Sequence, residues 1–153
     1  MQIKGCVALV TGASRGLGRA FCAKLVQAGA AKVYAAARDP SKPSVAGTQP
    51  IKLDITNAAD VAEAARQCGE VSLLINNAGI ASFAPLLASE NADAARAEME
   101  TNYFGTLAMC RAFAPVLAQN GGGAIVNMLS VVSWFNVPMQ GSYCVPPRLP
   151  PGR

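Results

Sequence analysis

The chain has 153 residues, 52% of them apolar and 14% charged, which fits a single folded domain and excludes a disordered protein. Its 13 basic and 9 acidic residues are scattered along the chain, which argues against a nucleic-acid-binding face. The five cysteines form no CxxC pair and histidine is absent, so the usual zinc sites are excluded and a disulfide framework is disfavoured.

The first part of the chain predicts a strand, a helix and a second strand. Residues 6–12 form a short apolar run that ends at a glycine, as expected for a buried strand. Residues 17–30 predict a helix, and residues 31–37 a second strand, which together make a βαβ unit. Four apolar residues at helical spacing predict one face of this helix: Leu17, Phe21, Leu25 and Val26.

The alternation of strands and helices continues along the chain. Residues 38–49 are rich in Pro, Ser and Gly and predict a surface loop. Asn57 is the expected N-cap of a second helix. Further strands are predicted at residues 50–55, 71–79 and 124–129. A long helix is predicted over residues 89–119, from apolar residues three and four apart: Met99, Tyr103, Leu107, Cys110 and Phe113.

Strands that alternate with helices predict parallel pairing through right-handed crossovers. The expected fold class is therefore α/β, a Rossmann-like doubly wound parallel sheet with strand order 3-2-1-4-5. In such a sheet, ligands bind at the carboxyl ends of strands one and four, where the strand order reverses.

The segment TGASRGLG, residues 11–18, lies between the first strand and the first helix. Gly12 allows a sharp turn, Gly16 allows a pyrophosphate to approach the backbone, and Gly18 allows the helix to pack on the strand. The helix N-terminus offers unpaired N–H groups to an anion. A tight turn without any ligand is the alternative.

With three further motifs, the chain resembles the short-chain dehydrogenase/reductase family. These are NNAG at residues 76–79, Asn102 in NYFG, and the thirteen-residue spacing of Ser130 and Tyr143. The resemblance runs from residue 3 to about residue 143. It implies an NAD(P)-binding Rossmann domain over residues 1–145, incomplete because the family's last strands and helices would be missing, and an aberrant proline-rich tail over residues 146–153.

The resemblance also implies the site residues. It places three in the catalytic site: Asn102, Ser130 and Tyr143. It assigns a cofactor-binding set to three loops and the end of the second strand: Thr11, Gly12, Ser14, Arg15, Gly16, Leu17, Gly18, Arg38, Asp54, Ile55, Asn77, Ala78 and Gly79. The alternative for Asp54 is a role as a cap near the next helix.

The second strand ends at Ala37 and is followed by Arg38 and Asp39. An acid about 20 residues past the last glycine binds the ribose of NAD, whereas an arginine suits the 2′-phosphate of NADP. Arg38, with Arg15 in the glycine turn, therefore favours NADP(H) over NAD(H). Ordinary solvated surface charge is the alternative for both arginines.

Reduction of a ketone needs a hydrogen-bond donor for the developing alkoxide and a proton, which Ser130 and Tyr143 would supply. A tyrosine free in water has a pKa near 10, and an ammonium group one helical turn away would favour the phenolate. In the family a lysine stands four residues after the tyrosine, but here this position is Pro147. Consecutive prolines also disfavour a helix there, so Arg148 is no substitute.

We therefore expect an NADP(H)-dependent oxidoreductase of the short-chain type by family, which interconverts a secondary alcohol and a ketone but is inactive in this chain. The alternatives are a catalytically dead nucleotide-binding or interaction fragment and, less favoured, a regulatory nucleoside-binding protein. The ending is interpreted as a frameshifted or mis-joined continuation, and the chain as association-prone, with homo-oligomers expected of the full-length family. We expect a cytoplasmic location, with no metal, nucleic-acid or membrane partner.

Overall fold

The computed structural model describes residues 1–41, 45–83, 92–134 and 143. The predicted tail at residues 146–153, including Pro147 and Arg148, lies outside the described residues, as does Cys144. Five strands are assigned: β1 (Val7–Thr11), β2 (Lys32–Ala37), β3 (Gln49–Lys52), β4 (Leu73–Asn76) and β5 (Ala124–Asn127). Four α-helices accompany them: α1 (Gly16–Gln27), α2 (Ala58–Gln67), α3 (Asp93–Glu98) and α4 (Thr106–Gln119). A π-helical segment, Met99–Gly105, joins α3 to α4, and a short 3₁₀ turn, Val131–Ser133, follows β5.

The strands form one parallel sheet in the order β3-β2-β1-β4-β5, which confirms the predicted topology. β1 lies in the centre, where Leu9 is opposite Tyr34 of β2 and Leu74 of β4. The order reverses between β1 and β4, so the two strands leave a crevice at their carboxyl ends. The glycine turn and the end of β4 lie at this edge.

Two hydrophobic clusters cover the two faces of the sheet. Alternate residues of β1 point to opposite sides, since Ala8 and Val10 belong to the cluster with α1 while Leu9 belongs to the cluster with α2 and α4. Phe113 and Met109 of α4 are fully buried in the second cluster. A buried sheet with helices on both faces is the three-layer arrangement that alternating strands and helices predict.

Local signals in the sequence locate several element ends. Asn57 caps α2 as predicted, because its Oδ1 accepts hydrogen bonds from the N–H groups of Ala59 at 2.9 Å and Asp60 at 3.2 Å. The strand predicted over residues 71–79 is shorter, because residues 77–79 leave the sheet to form the crevice wall. Among the described residues, no helix combines the length and apolar content required to cross a membrane.

Two predictions about helix faces are only partly correct. In α1 the predicted Leu25 is buried, but Leu17 is 64% exposed, and Gly18 and Cys22, which were not predicted, are buried. The helix predicted over residues 89–119 is not a continuous α-helix, and Met99, Tyr103 and Leu107 from its apolar set are exposed. For Met99 and Tyr103 the π-helical segment accounts for the difference, since hydrogen bonds from i to i+5 shift the phase of the helix face relative to α4. Leu107 lies in α4 itself, on its exposed side.

Four cysteines lie among the described residues, and all four are free thiols: Cys6, Cys22, Cys68 and Cys110. The first three are buried, as the composition predicts, whereas Cys110 is half-buried. Burial raises the pKa of the Cys22 thiol to about 11 and that of Cys68 to about 12. A thiol with so high a pKa stays protonated at neutral pH, so these two side chains act as small apolar core residues.

Candidate functional site

The turn between β1 and α1 needs glycine at two positions of its backbone. Gly12 has φ +65° and Gly16 has φ +55°, and both lie in the left-handed region that favours glycine. A Cβ on Gly16 would find no atom within 4 Å, so the outside of the turn is open there. This is the side from which an anion would approach the backbone.

Gly18 serves packing instead. A Cβ on Gly18 would collide with the carbonyl oxygen of Gly12 and would lie 2.6 Å from Asn77 Nδ2. The first turn of α1 therefore sits directly on the end of β1. The helix has no acidic residue in that turn, and Arg15 at its N-cap makes no side-chain capping bond. The first N–H groups and the positive end of the helix dipole are thus suited to a phosphate.

The hydroxyl of Thr11 joins β1 to the segment after β4. Thr11 is 1% exposed, and its Oγ1 accepts hydrogen bonds from the backbone N–H groups of Asn77 and Ala78, each at 2.9 Å. In return, Asn77 Nδ2 donates to the carbonyl oxygen of Thr11 at 3.0 Å. Both side chains, predicted to bind the cofactor, hold the two walls of the crevice together in this structure.

The end of β2 presents Arg38 to solvent, next to the half-buried Ala37. Asp39 is engaged in its own turn, where its Oδ1 accepts hydrogen bonds from the N–H and the hydroxyl of Ser41. Both Arg38 and Asp39 are exposed, but the Asp39 carboxylate is already hydrogen-bonded within its own turn. Arg15, which precedes α1 in the glycine turn, is exposed as well.

Asp54 and Ile55 follow β3 at the same edge of the sheet. Asp54 Oδ1 accepts hydrogen bonds from the N–H of Thr56 at 3.0 Å and from its hydroxyl at 2.7 Å. These bonds, with a smaller contribution from Arg38, hold the pKa of the Asp54 carboxyl below its usual range. Asp54 thus caps a turn ahead of α2, whose own N-cap is Asn57, and stays ionised beside Arg38.

Asn102 lies in the π-helical segment and faces the loop after β4. Its Oδ1 accepts a hydrogen bond from the N–H of Ile80 at 2.9 Å, and its Nδ2 donates to the carbonyl oxygen of Ile80 at 2.8 Å. A Cβ on Gly79 would lie 3.2 Å from Asn102 Oδ1, which explains the small residue there. The structure therefore brings Asn102 together with the predicted cofactor segment 77–79.

Ser130 lies just after β5, on the same side of the sheet. It is half-buried, and its Oγ accepts a hydrogen bond of 3.4 Å from the N–H of Val132 at the start of the 3₁₀ turn. A hydroxyl that accepts one bond keeps its own proton to donate. Tyr143 is described as a single half-buried residue in a turn, and its position relative to Ser130 stays a prediction.

Sequence reasoning missed two side chains that shape this edge. Glu98, the last residue of α3, accepts hydrogen bonds from the N–H and hydroxyl of Ser82. Glu98 precedes Asn102 by one helical turn, so the i, i+4 spacing could have placed both on one face. Asn76, the first residue of NNAG, donates from Nδ2 to Asn127 Oδ1 at 2.8 Å and so ties the end of β4 to β5.

A family model described as short chain dehydrogenase matches residues 6–145 of this chain. The chain is 34% identical to a 3-ketodihydrosphingosine reductase of Bacteroides thetaiotaomicron over 142 residues, a match that covers 90% of this chain and 51% of that reductase. The chain thus spans about half the length of this relative.

Solved structures show the same fold. A short chain dehydrogenase from Burkholderia cenocepacia, crystallised in complex with NADP, superposes with a TM-score of 0.89 at 49% identity, covering 94% of this chain and 61% of the other. A gluconate 5-dehydrogenase from the same species, in complex with NADP and tartrate, gives a TM-score of 0.83 at 29% identity, covering 93% and 60% of the two chains.

Proposed function

Since this chain belongs to the short-chain dehydrogenase family, we propose that its site is built for NADP(H)-dependent interconversion of a secondary alcohol and a ketone. One observation carries the proposal. The glycine turn and segment 77–79 are held side by side through Thr11, and Asn102 is bonded to the residue that follows this segment. A cofactor crevice and a candidate catalytic residue thus meet at one edge of the sheet.

The geometry of the turn fits a dinucleotide. The open space outside Gly16, the left-handed backbone of Gly12 and Gly16, and the α1 N-terminus without a capping side chain suit a pyrophosphate. Arg38 and Arg15 are exposed cations at the expected ribose end, and Asp39 is engaged with Ser41. These features support NADP(H) over NAD(H), and two similar solved structures are complexes with NADP.

The cofactor, when bound, supplies or accepts the hydride at the substrate carbon. In the reductive direction the substrate oxygen gains negative charge and needs a donor and a proton. Ser130 would donate a hydrogen bond to that oxygen, and the Tyr143 phenol would deliver the proton. Asn102 holds residue 80, and with it the end of segment 77–79, in place.

We further propose that turnover by this chain is near zero. Pro147 stands where the family has the lysine that assists the tyrosine, and proline has no ammonium group to offer. The second candidate function is therefore a catalytically dead nucleotide-binding or interaction fragment. Pro147 favours this second candidate, because it removes the lysine that assists the tyrosine. The crevice at β1 and β4 is compatible with both functions.

Binding and turnover separate these possibilities. We expect the chain to bind NADPH more tightly than NADH in a fluorescence titration, and Arg38→Ala to weaken NADPH binding about tenfold, since it removes a charged hydrogen-bond partner of the 2′-phosphate. Arg19→Ala, an exposed arginine on α1, is the matched control and should leave both affinities unchanged.

A panel of ketones with NADPH then tests the chemistry. Rapid oxidation of NADPH would rule out the dead-fragment proposal. Absence of binding to either nucleotide would rule out the oxidoreductase and the nucleotide-binding form of the fragment, and would leave the interaction fragment. Equal affinity for NADPH and NADH, unaffected by Arg38→Ala, would contradict the assignment of Arg38.

Assembly and location belong to this proposal too. Met99, Tyr103, Phe104 and Leu107 expose apolar surface on one stretch of helix, which supports self-association through that stretch. A small-molecule alcohol or ketone is the proposed substrate class. The cytoplasmic location stays a prediction from the sequence.

A further inference from the structure

Glu98 is a buried carboxylate at the end of α3. It is 2% exposed, although neighbouring positions on either side of it face solvent. Burying a carboxylate is unfavourable unless hydrogen-bond donors surround it. The donors to its Oε1 are the N–H of Ser82 at 2.6 Å and the hydroxyl of Ser82 at 2.7 Å. Both come from the loop after β4 and not from its own helix.

A second residue, one helical turn after Glu98, also holds this loop. Asn102 bonds both the N–H and the carbonyl oxygen of Ile80. Glu98 and Asn102 are four residues apart, so their side chains lie on one face, and they hold alternate residues of the loop. Segment 80–83 is thus attached to α3 and the π-helical segment by four hydrogen bonds.

The backbone next to this attachment is strained. Phe83 has φ +52° and is the described non-glycine residue with a left-handed φ. A bulky residue rarely adopts this conformation, and it persists only where the surrounding structure enforces it. The Phe83 side chain is 60% exposed. The bonds from Ser82 to Glu98 lie directly before Phe83 and are suited to enforce this backbone.

Segment 80–83 continues directly from residues 77–79, which line the crevice. The α1 N-terminus would take the pyrophosphate, and Arg38 beyond β2 would mark the adenosine half of the cofactor. The other half then extends to the opposite side of β1, over the ends of β4 and β5. Segment 80–83 follows β4 on that side.

We propose that Glu98 is a positioning residue, which holds segment 80–83 as the wall of the nicotinamide half of the crevice. This inference rests on the proposed NADP(H) site. Glu98 itself touches neither cofactor nor substrate. It acts through Ser82, and its loss should loosen the nicotinamide end of the crevice while the adenosine end stays intact.

Two ligands that share one half of the cofactor make this testable. NADPH contacts both halves of the crevice, whereas 2′,5′-ADP carries only the adenosine half. Glu98→Gln keeps the size of the side chain but removes the charge that strengthens both bonds to Ser82. We expect this variant to bind NADPH about tenfold more weakly and to bind 2′,5′-ADP within about twofold of the unmodified chain, since bonds to a charged group are among the stronger ones. Both affinities are measured by calorimetry.

Amide hydrogen exchange reports on the loop without any ligand. We expect Glu98→Gln to speed exchange of the Ser82 amide about tenfold, with no change at Phe113 in the core of α4. Ser82→Ala removes the hydroxyl bond from an exposed residue and should speed exchange at the same amide. Glu100→Gln, two residues away and exposed, is the matched control and should change neither exchange nor affinity.

The outcomes separate this inference from the proposed function. If Glu98→Gln weakens NADPH and 2′,5′-ADP equally, or leaves both affinities and the Ser82 amide unchanged, Glu98 is not a positioning residue and the inference is overturned. If the unmodified chain binds 2′,5′-ADP but Glu98→Gln does not alter NADPH binding, the inference fails while the cofactor site stands. If the unmodified chain binds neither ligand, the proposed function fails and the inference falls with it.

Discussion

The two walls of the crevice are built in different ways. On the β1 side, backbone lies against backbone, since Gly18 leaves room for the carbonyl of Gly12, and the turn is formed by left-handed glycines. On the β4 side, side chains from α3 and the π-helical segment hold a loop, since Asn102 forms hydrogen bonds with Ile80 and Glu98 accepts hydrogen bonds from Ser82. Thr11 joins the two walls.

This difference determines how each wall responds to substitution. A contact between backbone atoms cannot relax by a change of rotamer, so an added methyl group has to move a strand or a helix. A contact with a side chain can adjust, at a smaller loss of free energy. The β1 wall should therefore be brittle and the β4 wall more tolerant, and three changes test this comparison.

The largest expected effect is that of Gly18→Ala. Within a helix, alanine is favoured over glycine by about 1 kcal/mol, yet here the new Cβ would collide with the carbonyl oxygen of Gly12. We expect a net loss of about 3 kcal/mol in the free energy of unfolding, since overpacking against backbone exceeds the helix preference. Urea denaturation measures it.

Gly69→Ala is the control for this substitution. Its Cβ would have its nearest neighbour at 3.9 Å, the carbonyl oxygen of Arg66. The free energy of unfolding should change by less than about 0.5 kcal/mol. Equal effects of the two substitutions would show that the β1 wall is not closely packed.

A smaller effect is expected of Gly105→Ala, at the end of the π-helical segment that holds the β4 wall. The new Cβ would lie 2.8 Å from Ile55 Cγ1 and 2.9 Å from its Cδ1, which are side-chain atoms that a rotation can move, and 3.2 Å from the backbone carbonyl oxygen of Ile55. The helix preference of alanine offsets part of the clash, so we expect a net loss of about 1 kcal/mol. A loss as large as that of Gly18→Ala, measured in the same urea series, would remove the proposed contrast between the walls.

The smallest effect is expected at the amino ends of the strands, which lie at the edge of the sheet opposite the crevice. A substitution there should affect neither wall. Glu70 accepts hydrogen bonds from Lys32 Nζ and from the Tyr34 hydroxyl, and these bonds hold the pKa of the Glu70 carboxyl below its usual range. A lowered pKa contributes stability above the unfolded value near 4.3, and this stability is lost as the pH falls through the folded value.

The pKa of the Tyr34 hydroxyl shifts in the opposite direction to that of Glu70. Burial, and then the bond to Glu70, raises the pKa of the Tyr34 hydroxyl, so its contribution is present below the unfolded value near 10 and is lost as the pH rises further. Glu70→Gln should flatten the loss of stability below about pH 4.3, by no more than about 1 kcal/mol because the pair is partly exposed. Thermal melts from pH 2 to 11 measure it, and parallel curves for the two proteins would contradict the assignment.

Much of the β1 wall could be predicted from sequence. The spacing of Gly12, Gly16 and Gly18 between an apolar run and a helical pattern reports on backbone conformation, and glycine is the residue that such backbone needs. The strand order followed from the alternation of elements and from the handedness of crossovers. Asn57 was recognised as a cap because its role is satisfied within three residues of the chain.

The β4 wall was only partly predictable. Asn102 was identified by resemblance, but its partner Ile80 lies 22 residues earlier, and nothing local to either residue specifies the pair. Glu98 would ordinarily be interpreted as a solvated charge, and only the folded chain shows it buried against Ser82. The π-helical segment was not predicted either, because an α-helical period was assumed and a wider turn changes which residues face the core.

For this protein, patterns that act over a few residues were enough to establish the sheet order, the glycine turn and the family resemblance, because such patterns reflect the local backbone. Only the folded chain shows that Leu17 is exposed, that Thr11 Oγ1 accepts two hydrogen bonds from the segment after β4, and that Glu98 accepts hydrogen bonds from Ser82. Each of these features depends on groups that are far apart in sequence and come into contact only when the layers pack. A local sequence pattern does not specify such contacts.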